Sequence, residues 1–176
     1  MTLESRQLLN TARFRVEQVT RTLGDGSLHR RQIVRHPGAV TILPMVDDER
    51  VCLIRNYRVS VDETLIELPA GTREPDESPE ATAHRELIEE TGYKAGQLTL
   101  LHQFFLSPGI LDERMVLFLA TDLCEIGTNR EIGEEIENLV VPLADAIDMI
   151  QDGRIQDAKT IVGILSYHQL HRTELR

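Results

Sequence analysis

Cysteine is scarce: Cys52 and Cys124 are the only two in 176 residues. Each stands beside apolar neighbours and neither belongs to a CxxC pair. A zinc ribbon is therefore excluded, and two buried free thiols in a reducing compartment are expected. No apolar run approaches the ~20 residues of a membrane span. The opening MTLESRQLLN lacks the basic start and apolar core of a secretory signal. Both absences lead us to expect a cytoplasmic protein without a membrane partner. Positive charge is also short, with 19 Lys and Arg against 29 Asp and Glu and a net charge of -10. That balance argues against a general electrostatic attraction to nucleic acid. The six histidines form neither an HxxxH pair nor a triad-like pattern. No helix-turn-helix, internal repeat, low-complexity tract or Pro/Gly/Ser-rich linker interrupts the chain.

What is present is ordinary for a globular protein: 41% hydrophobic and 27% charged residues. The length suits one domain with a sizeable core. We divide the chain into an N-terminal β extension over 1–36 and a main domain over 37–176. Strand patterns dominate the first half. Residues 13–22 and 28–35 flank the turn Gly24-Asp25-Gly26. Residues 39–46 and 51–57 are β-rich runs on either side of Asp47-Asp48-Glu49-Arg50, which reads as a hairpin. Residues 64–68 form a short strand that gives way to a loop at Pro69-Ala70-Gly71. Residues 78–91 read as a helix capped by Ser78, with Pro79 in its first turn and Gly92 at its end. Strands follow at 98–105, 115–122 and 137–141, with a loop around Ser107-Pro108-Gly109. Amphipathic helices over 143–152 and 157–171 complete an α/β sandwich with a mixed sheet. Phe104 and Phe105 alternate across their strand, with at least one expected in the core.

The chemistry concentrates in 71–93. Six glutamates, Glu74, Glu77, Glu80, Glu86, Glu89 and Glu90, face two arginines, Arg73 and Arg85. Helical spacing puts Glu86, Glu89 and Glu90 on one face, where like charges three and four residues apart repel. One reading is a solvated acidic helix. The other is a helix whose repulsion is relieved by a hard divalent cation such as Mg²⁺, which takes carboxylate oxygens, waters and substrate phosphates.

The same segment resembles the signature of the Nudix hydrolases, Gly-x5-Glu-x7-Arg-Glu-(apolar)-x-Glu-Glu-x-Gly-(apolar). Gly71, Glu77, Arg85, Glu86, Glu89, Glu90 and Gly92 occupy every fixed position. Leu87 fills the first apolar slot, and Tyr93 stands where an aliphatic residue is more usual. The resemblance implies a Nudix α/β/α sandwich with a mixed β-sheet plus a short N-terminal β extension. It also implies Glu86, Glu90 and the Ala70 carbonyl as metal ligands, with Glu89 a ligand or a near neighbour that takes part in catalysis. Arg85, paired with Glu77, is implied to support catalysis by orienting loop and helix. The metal is expected to be Mg²⁺, with Mn²⁺ a possible substitute.

Outside the signature, Arg55-Asn56-Tyr57-Arg58 resembles the Arg-x-Tyr-Arg segment of ADP-ribose pyrophosphatases. There the last arginine reaches the substrate diphosphate, a role implied for Arg58 and more weakly for Arg55. Glu67-Leu68-Pro69-Ala70-Gly71 and Pro108 resemble the same subgroup, which implies Glu67, Pro108 and Glu113 near the substrate. In such enzymes divalent ions neutralise the diphosphate and acidify a water, and a carboxylate takes its proton. Glu134 or Glu135, in the acidic stretch 127–137, is the expected base, with Glu137 the alternative. The expected reaction converts ADP-ribose, or a related nucleoside diphosphate sugar, to a nucleoside monophosphate and a sugar phosphate. A GDP-mannose or broad nucleoside diphosphate sugar hydrolase is the rival, and a non-catalytic Nudix-fold sensor a more distant one. The N-terminal extension resembles the piece that helps form a homodimer and part of the base pocket, with Phe14 or His29-Arg30-Arg31 as base contacts.

Overall fold

The two hydrophobic runs read as one hairpin part company in the computed structural model, which describes residues 3–128 and 136–174. In chain order the elements are β1 (Leu3–Asn10), β2 (Arg15–Thr22), β3 (Leu28–Arg35), β4 (Ala39–Pro44), β5 (Arg50–Arg58), β6 (Glu63–Glu67), β7 (Ala70–Thr72), α1 (Pro79–Thr91), β8 (Tyr93–Phe105), β9 (Arg114–Glu125), β10 (Ile136–Pro142), α2 (Leu143–Gln151) and α3 (Ala158–Glu174). Strand β4 joins a four-stranded sheet of order β7-β4-β9-β8, whereas β5 joins a three-stranded sheet of order β10-β5-β6. A single antiparallel bridge, Met45 to Val51, survives of the expected hairpin. The divergence has a packing cause. Both runs are apolar on consecutive residues rather than alternate ones, the pattern of strands buried on both faces.

Strand β4 shows this directly. Val40 and Ile42 pack with Ala83 and Leu87 of α1, together with Ala95, Val116 and Phe118. Leu43 turns to the opposite face, against Leu53, Leu117, Ala146 of α2 and Ile164 of α3. The result is a layer of strands with α1 on one side and α2 and α3 on the other. The sheet is mixed: β4 runs parallel to β9 and antiparallel to β7.

Helix α1 begins where expected. The Ala81 N–H donates to Ser78 Oγ at 3.1 Å, and Pro79 occupies the first turn. A cap of this kind stabilises a helix by about 1 kcal/mol. Gly92 ends the helix with φ of 77°, left-handed, and its N–H donates to the Ile88 carbonyl at 2.9 Å.

Two further expectations need correction. Cys52 is buried but Cys124 is exposed; both are free. Its strand runs past the core there, so the apolar neighbours did not imply burial. Residues 70–72, read as loop, form β7 along the edge of β4. Strand β1 had no expected counterpart; all eight of its residues are exposed, and it is held by backbone pairing to β2 rather than by burial. Of the two phenylalanines, Phe104 packs against the core, and Phe105 is exposed with the Arg114 guanidinium 5.9 Å from its ring centroid. No helix among the described residues is long and apolar enough to cross a membrane.

Candidate active site

The short strand β7 and helix α1 bring the acidic residues together. Glu90 is buried, and its Oε2 accepts the Ala70 N–H at 2.8 Å. Glu86 lies against Gly71 so closely that a Cβ there would stand 1.8 Å from Glu86 Oε1. Glycine at 71 thus lets Glu86 lie against the strand, while its φ is ordinary.

Arg85 organises the rest. Its Nε and Nη2 donate to the two oxygens of Glu77 at 3.1 and 3.0 Å, while Nη1 donates to Glu86 Oε1 at 2.7 Å and Glu89 Oε2 at 3.0 Å. Nη2 also reaches the Thr72 carbonyl at 3.3 Å. One guanidinium therefore ties the loop before α1, strand β7 and two box glutamates into one unit. The hydrogen bonds from Arg85, joined by those from Thr82 and the Glu74 backbone, hold the Glu77 carboxyl down at about 2. The Arg85 guanidinium is pushed upward, first by Glu77 and then by Glu86 and Glu89, against the opposing effect of its burial.

These residues line a cavity of about 730 Å³, within the range of small-molecule sites. Its floor is Ala70, Gly71, Glu86, Glu89 and Glu90; Asn56 and Arg58 of β5 form one wall. The N-terminal sheet supplies another wall through Arg13, Phe14, Arg15 and Arg35. Arg35 is fixed there by Glu17 at 3.0 Å and Asp112 at 2.9 Å.

Arg58 meets Glu67 at the cavity edge. Its Nε and Nη2 donate to Glu67 Oε1 and Oε2 at 2.7 and 2.6 Å. Glu67 itself is buried, and Lys159 of α3, also buried, donates to its Oε2. Burial pushes the Glu67 carboxyl up, but the Arg58 hydrogen bonds and the Lys159 charge outweigh it and leave it below its usual value.

Several expected residues stand elsewhere. Arg55 is exposed on the face of β5 opposite Asn56 and Arg58, because side chains alternate along a strand. Glu137 pairs in register with Arg55, so it shares that outward face. Pro108 is exposed in a turn closed by the Ile110 and Leu111 N–H groups donating to the Ser107 carbonyl, away from the cavity lining. Glu113 sits behind the wall. Its Oε1 is 3.6 Å from His36 Nδ1, a nitrogen that already accepts the Gly38 N–H at 3.2 Å, while the neighbouring Asp112 lines the cavity. Of the suggested base contacts, Phe14 lines the cavity and His29, Arg30 and Arg31 do not. Glu134 and Glu135 lie outside the described residues.

Lys159, Asn56 and Asp112 were not anticipated. For Lys159 a sequence clue existed: a lysine in the first turn of a helix opposes the helix dipole, so something must hold it there. For Asn56 and Asp112 no spacing rule points to the site.

Residues 35–162 match the NUDIX domain family. The chain belongs to the Nudix family. An ADP-ribose pyrophosphatase of Bacillus subtilis is 41% identical over 150 residues, covering 84% of this chain and 80% of that one. A methanol dehydrogenase activator of Bacillus methanolicus is 33% identical over 171 residues, 96% and 92% of the two chains. A GDP-mannose pyrophosphatase of Citrobacter koseri is 37% identical over 167 residues, covering 89% of this chain and 85% of that one. Among solved structures, a crystal structure of an ADP compounds hydrolase superposes with a TM-score of 0.84 at 25% identity, covering 99% of this chain and 94% of that one. The family match spans residues 35–162, the superposition extends over the N-terminal sheet as well, and the box glutamates and Arg58 line one cavity.

Proposed function

We propose that this Nudix hydrolase cleaves the pyrophosphate bond of ADP-ribose, or of a closely related nucleoside diphosphate sugar, giving a nucleoside monophosphate and a sugar phosphate. One observation carries the reading: the carboxylate floor of Glu86, Glu89 and Glu90 faces Arg58 across a cavity large enough for a nucleotide sugar.

Nudix hydrolases generally depend on a divalent cation, and the residues present fit one. Among the described residues no three acidic, histidine or cysteine side chains are gathered so as to hold a metal ion by themselves. A closed cage is not what Mg²⁺ needs, since it keeps several waters and uses one or two carboxylates with substrate phosphates. Glu86, Glu90 and the Ala70 carbonyl would hold it, with Glu89 beside them, and all these donors are hard oxygens. The missing Cβ at Gly71 keeps the Glu86 carboxylate against the β7 backbone. When bound, the cation neutralises diphosphate charge and acidifies the attacking water. We assign Mg²⁺, with Mn²⁺ a substitute.

The protein's own groups do the remainder. Arg58 donates to the diphosphate, Arg85 keeps the floor glutamates in place, and Phe14 offers a ring to the base. Glu134 or Glu135 takes the water's proton. Residues 1–36 act as a dimerisation element: Leu3, Leu8, Leu9 and Leu28 are exposed on the N-terminal sheet, a surface suited to a second copy. Light scattering behind gel filtration tests the dimer; a monomer mass removes it. A cytoplasmic location accords with the reaction.

The test is a substrate panel of ADP-ribose, GDP-mannose, UDP-glucose and NADH, each with Mg²⁺, Mn²⁺ or EDTA. Metal-dependent release of AMP from ADP-ribose, lost on EDTA addition, supports the reading. Preferential turnover of GDP-mannose moves the substrate and keeps the chemistry. No turnover by a folded, metal-binding protein favours the sensor.

A further inference from the structure

The cavity wall that carries Arg58 is braced by a buried ionic cluster that reaches into the last helix. Glu67 is 1% exposed and Lys159 6% exposed, so neither charge is solvated to any extent. Lys159 contacts Glu67 and also Asp157 at 3.0 Å. Asp157 in turn accepts the Thr160 N–H at 3.0 Å and the Thr160 hydroxyl at 2.5 Å, and Thr160 Oγ1 accepts the Leu68 N–H at 2.8 Å. Two cations and two anions thus balance where β6 ends and α3 begins. A buried ion set of this kind is weak evidence for stability, because desolvation offsets much of the attraction. Its geometry is informative instead. Both Glu67 oxygens are committed to Arg58 and Lys159. A guanidinium has five N–H donors, and Glu67 takes two of those of Arg58. The remaining edge belongs to a side chain 39% exposed at the cavity.

We infer that Lys159 is a positioning residue for substrate binding: its ammonium fixes the Glu67 carboxylate, and Glu67 fixes the angle at which the free edge of Arg58 enters the cavity. The inference rests on the assignment of Arg58 to the substrate diphosphate. Lys159 touches neither the cavity nor the floor glutamates, so it acts on binding and leaves the chemical step alone. Removing its charge would leave Glu67 with Arg58 as its sole cationic partner among the described residues and loosen the Arg58 geometry.

The experiment is a double-mutant cycle on the full chain, with Lys159→Met, Arg58→Ala and the pair, read as KM and kcat for ADP-ribose with Mg²⁺ and as Kd by calorimetry. Lys159→Met is expected to raise KM and Kd by about tenfold with kcat within about threefold of wild type. The same change in the Arg58→Ala background should have almost no effect. Lys159→Arg, which restores the charge, should bring KM most of the way back. Should Lys159→Met fail to fold, Lys159→Gln carries the same cycle, since it keeps a donor but no charge. Equal effects of Lys159→Met with and without Arg58 would overturn the inference, as would a fall in kcat at unchanged KM. If Arg58→Ala leaves both KM and Kd unchanged, the diphosphate assignment fails and this inference with it. Binding of ADP-ribose without turnover would refute the enzymatic reading alone, and the Kd cycle would still decide the role of Lys159.

Discussion

Adding one methyl group at Gly71 should separate chemistry from stability. In Gly71→Ala the new Cβ would lie 1.8 Å from Glu86 Oε1 and 1.9 Å from its Cδ. Ordinary contact begins near 3.4 Å, so the carboxylate must retreat by about 1.6 Å, the difference between those two distances. The obstacle is the far end of a flexible side chain, and Gly71 has no left-handed φ that alanine would resist. The fold therefore accommodates the change, with stability altered by less than about 1 kcal/mol once reduced unfolded-state entropy is included. The Glu86 carboxylate, however, leaves both the cavity floor and its 2.7 Å contact with Arg85 Nη1. Misplacing a catalytic group by about 1 Å costs roughly a hundredfold, which is ~2.7 kcal/mol at ~1.36 kcal/mol per decade. We expect kcat/KM for ADP-ribose hydrolysis to fall at least that far while the thermal midpoint moves by no more than about 4 °C. Raising Mg²⁺ should restore part of the rate, since the weakened quantity is metal affinity. Wild-type kcat/KM in Gly71→Ala would refute the assignment of Glu86 to the cation. A collapse of the thermal midpoint would show instead that the close approach serves the fold.

Other outcomes follow from the same geometry. Glu90→Gln keeps an acceptor for the Ala70 N–H but loses the charge, so kcat should drop by at least about a hundredfold with circular dichroism unchanged. Glu77 is held near 2 in the folded state against a reference of 4.5, so its contribution to stability is complete above about pH 4.5 and disappears as pH falls through about 2. Urea midpoints measured from pH 5 down to pH 2 should therefore decline less steeply for Glu77→Gln than for wild type, and parallel curves would discard the role of that ion pair. Gly92→Ala meets both a positive φ and the Gly127 and Thr128 backbone at 2.9 Å. We expect about 2 kcal/mol or more of destabilisation, seen by calorimetry as a thermal midpoint lowered by roughly 4–8 °C.

The legible parts of the sequence were those governed by local rules. Ser78, Pro79 and Gly92 marked the ends of α1, because caps act within one turn. The strand over 28–35 matched β3 because a glycine turn and alternation bounded it. Helical spacing placed the glutamates at 86, 89 and 90 together, and they do line one cavity, with Arg85 as the cationic partner of Glu86 and Glu89. What local rules do not carry is which strands pair. Residues 39–46 and 51–57 looked like hairpin partners because consecutive strands usually are, whereas double-sided burial sent β4 beside β9. Side-chain facing within a motif was equally opaque. Arg55 and Arg58 sit three residues apart in one segment, and only the register of β5 in its sheet decides that Arg58 faces the cavity. Lys159 lies ninety-two positions from Glu67, a separation that no spacing pattern spans.

The wall formed by Arg13 and Phe14 of the β1–β2 turn, Arg15 of β2 and Arg35 of β3 comes from the separate three-stranded sheet β1-β2-β3 and its turn, while the carboxylate floor comes from β7 and α1. The acidic floor and this wall therefore come from different stretches of the chain. If Phe14 contacts the base as proposed, exchanging residues 10–15 should shift the relative kcat/KM for ADP-ribose and GDP-mannose while metal-dependent turnover persists, and an unchanged ratio would remove that role. On that division, variation confined to the β1–β2 turn would reshape one wall of the cavity and leave its acidic floor in place.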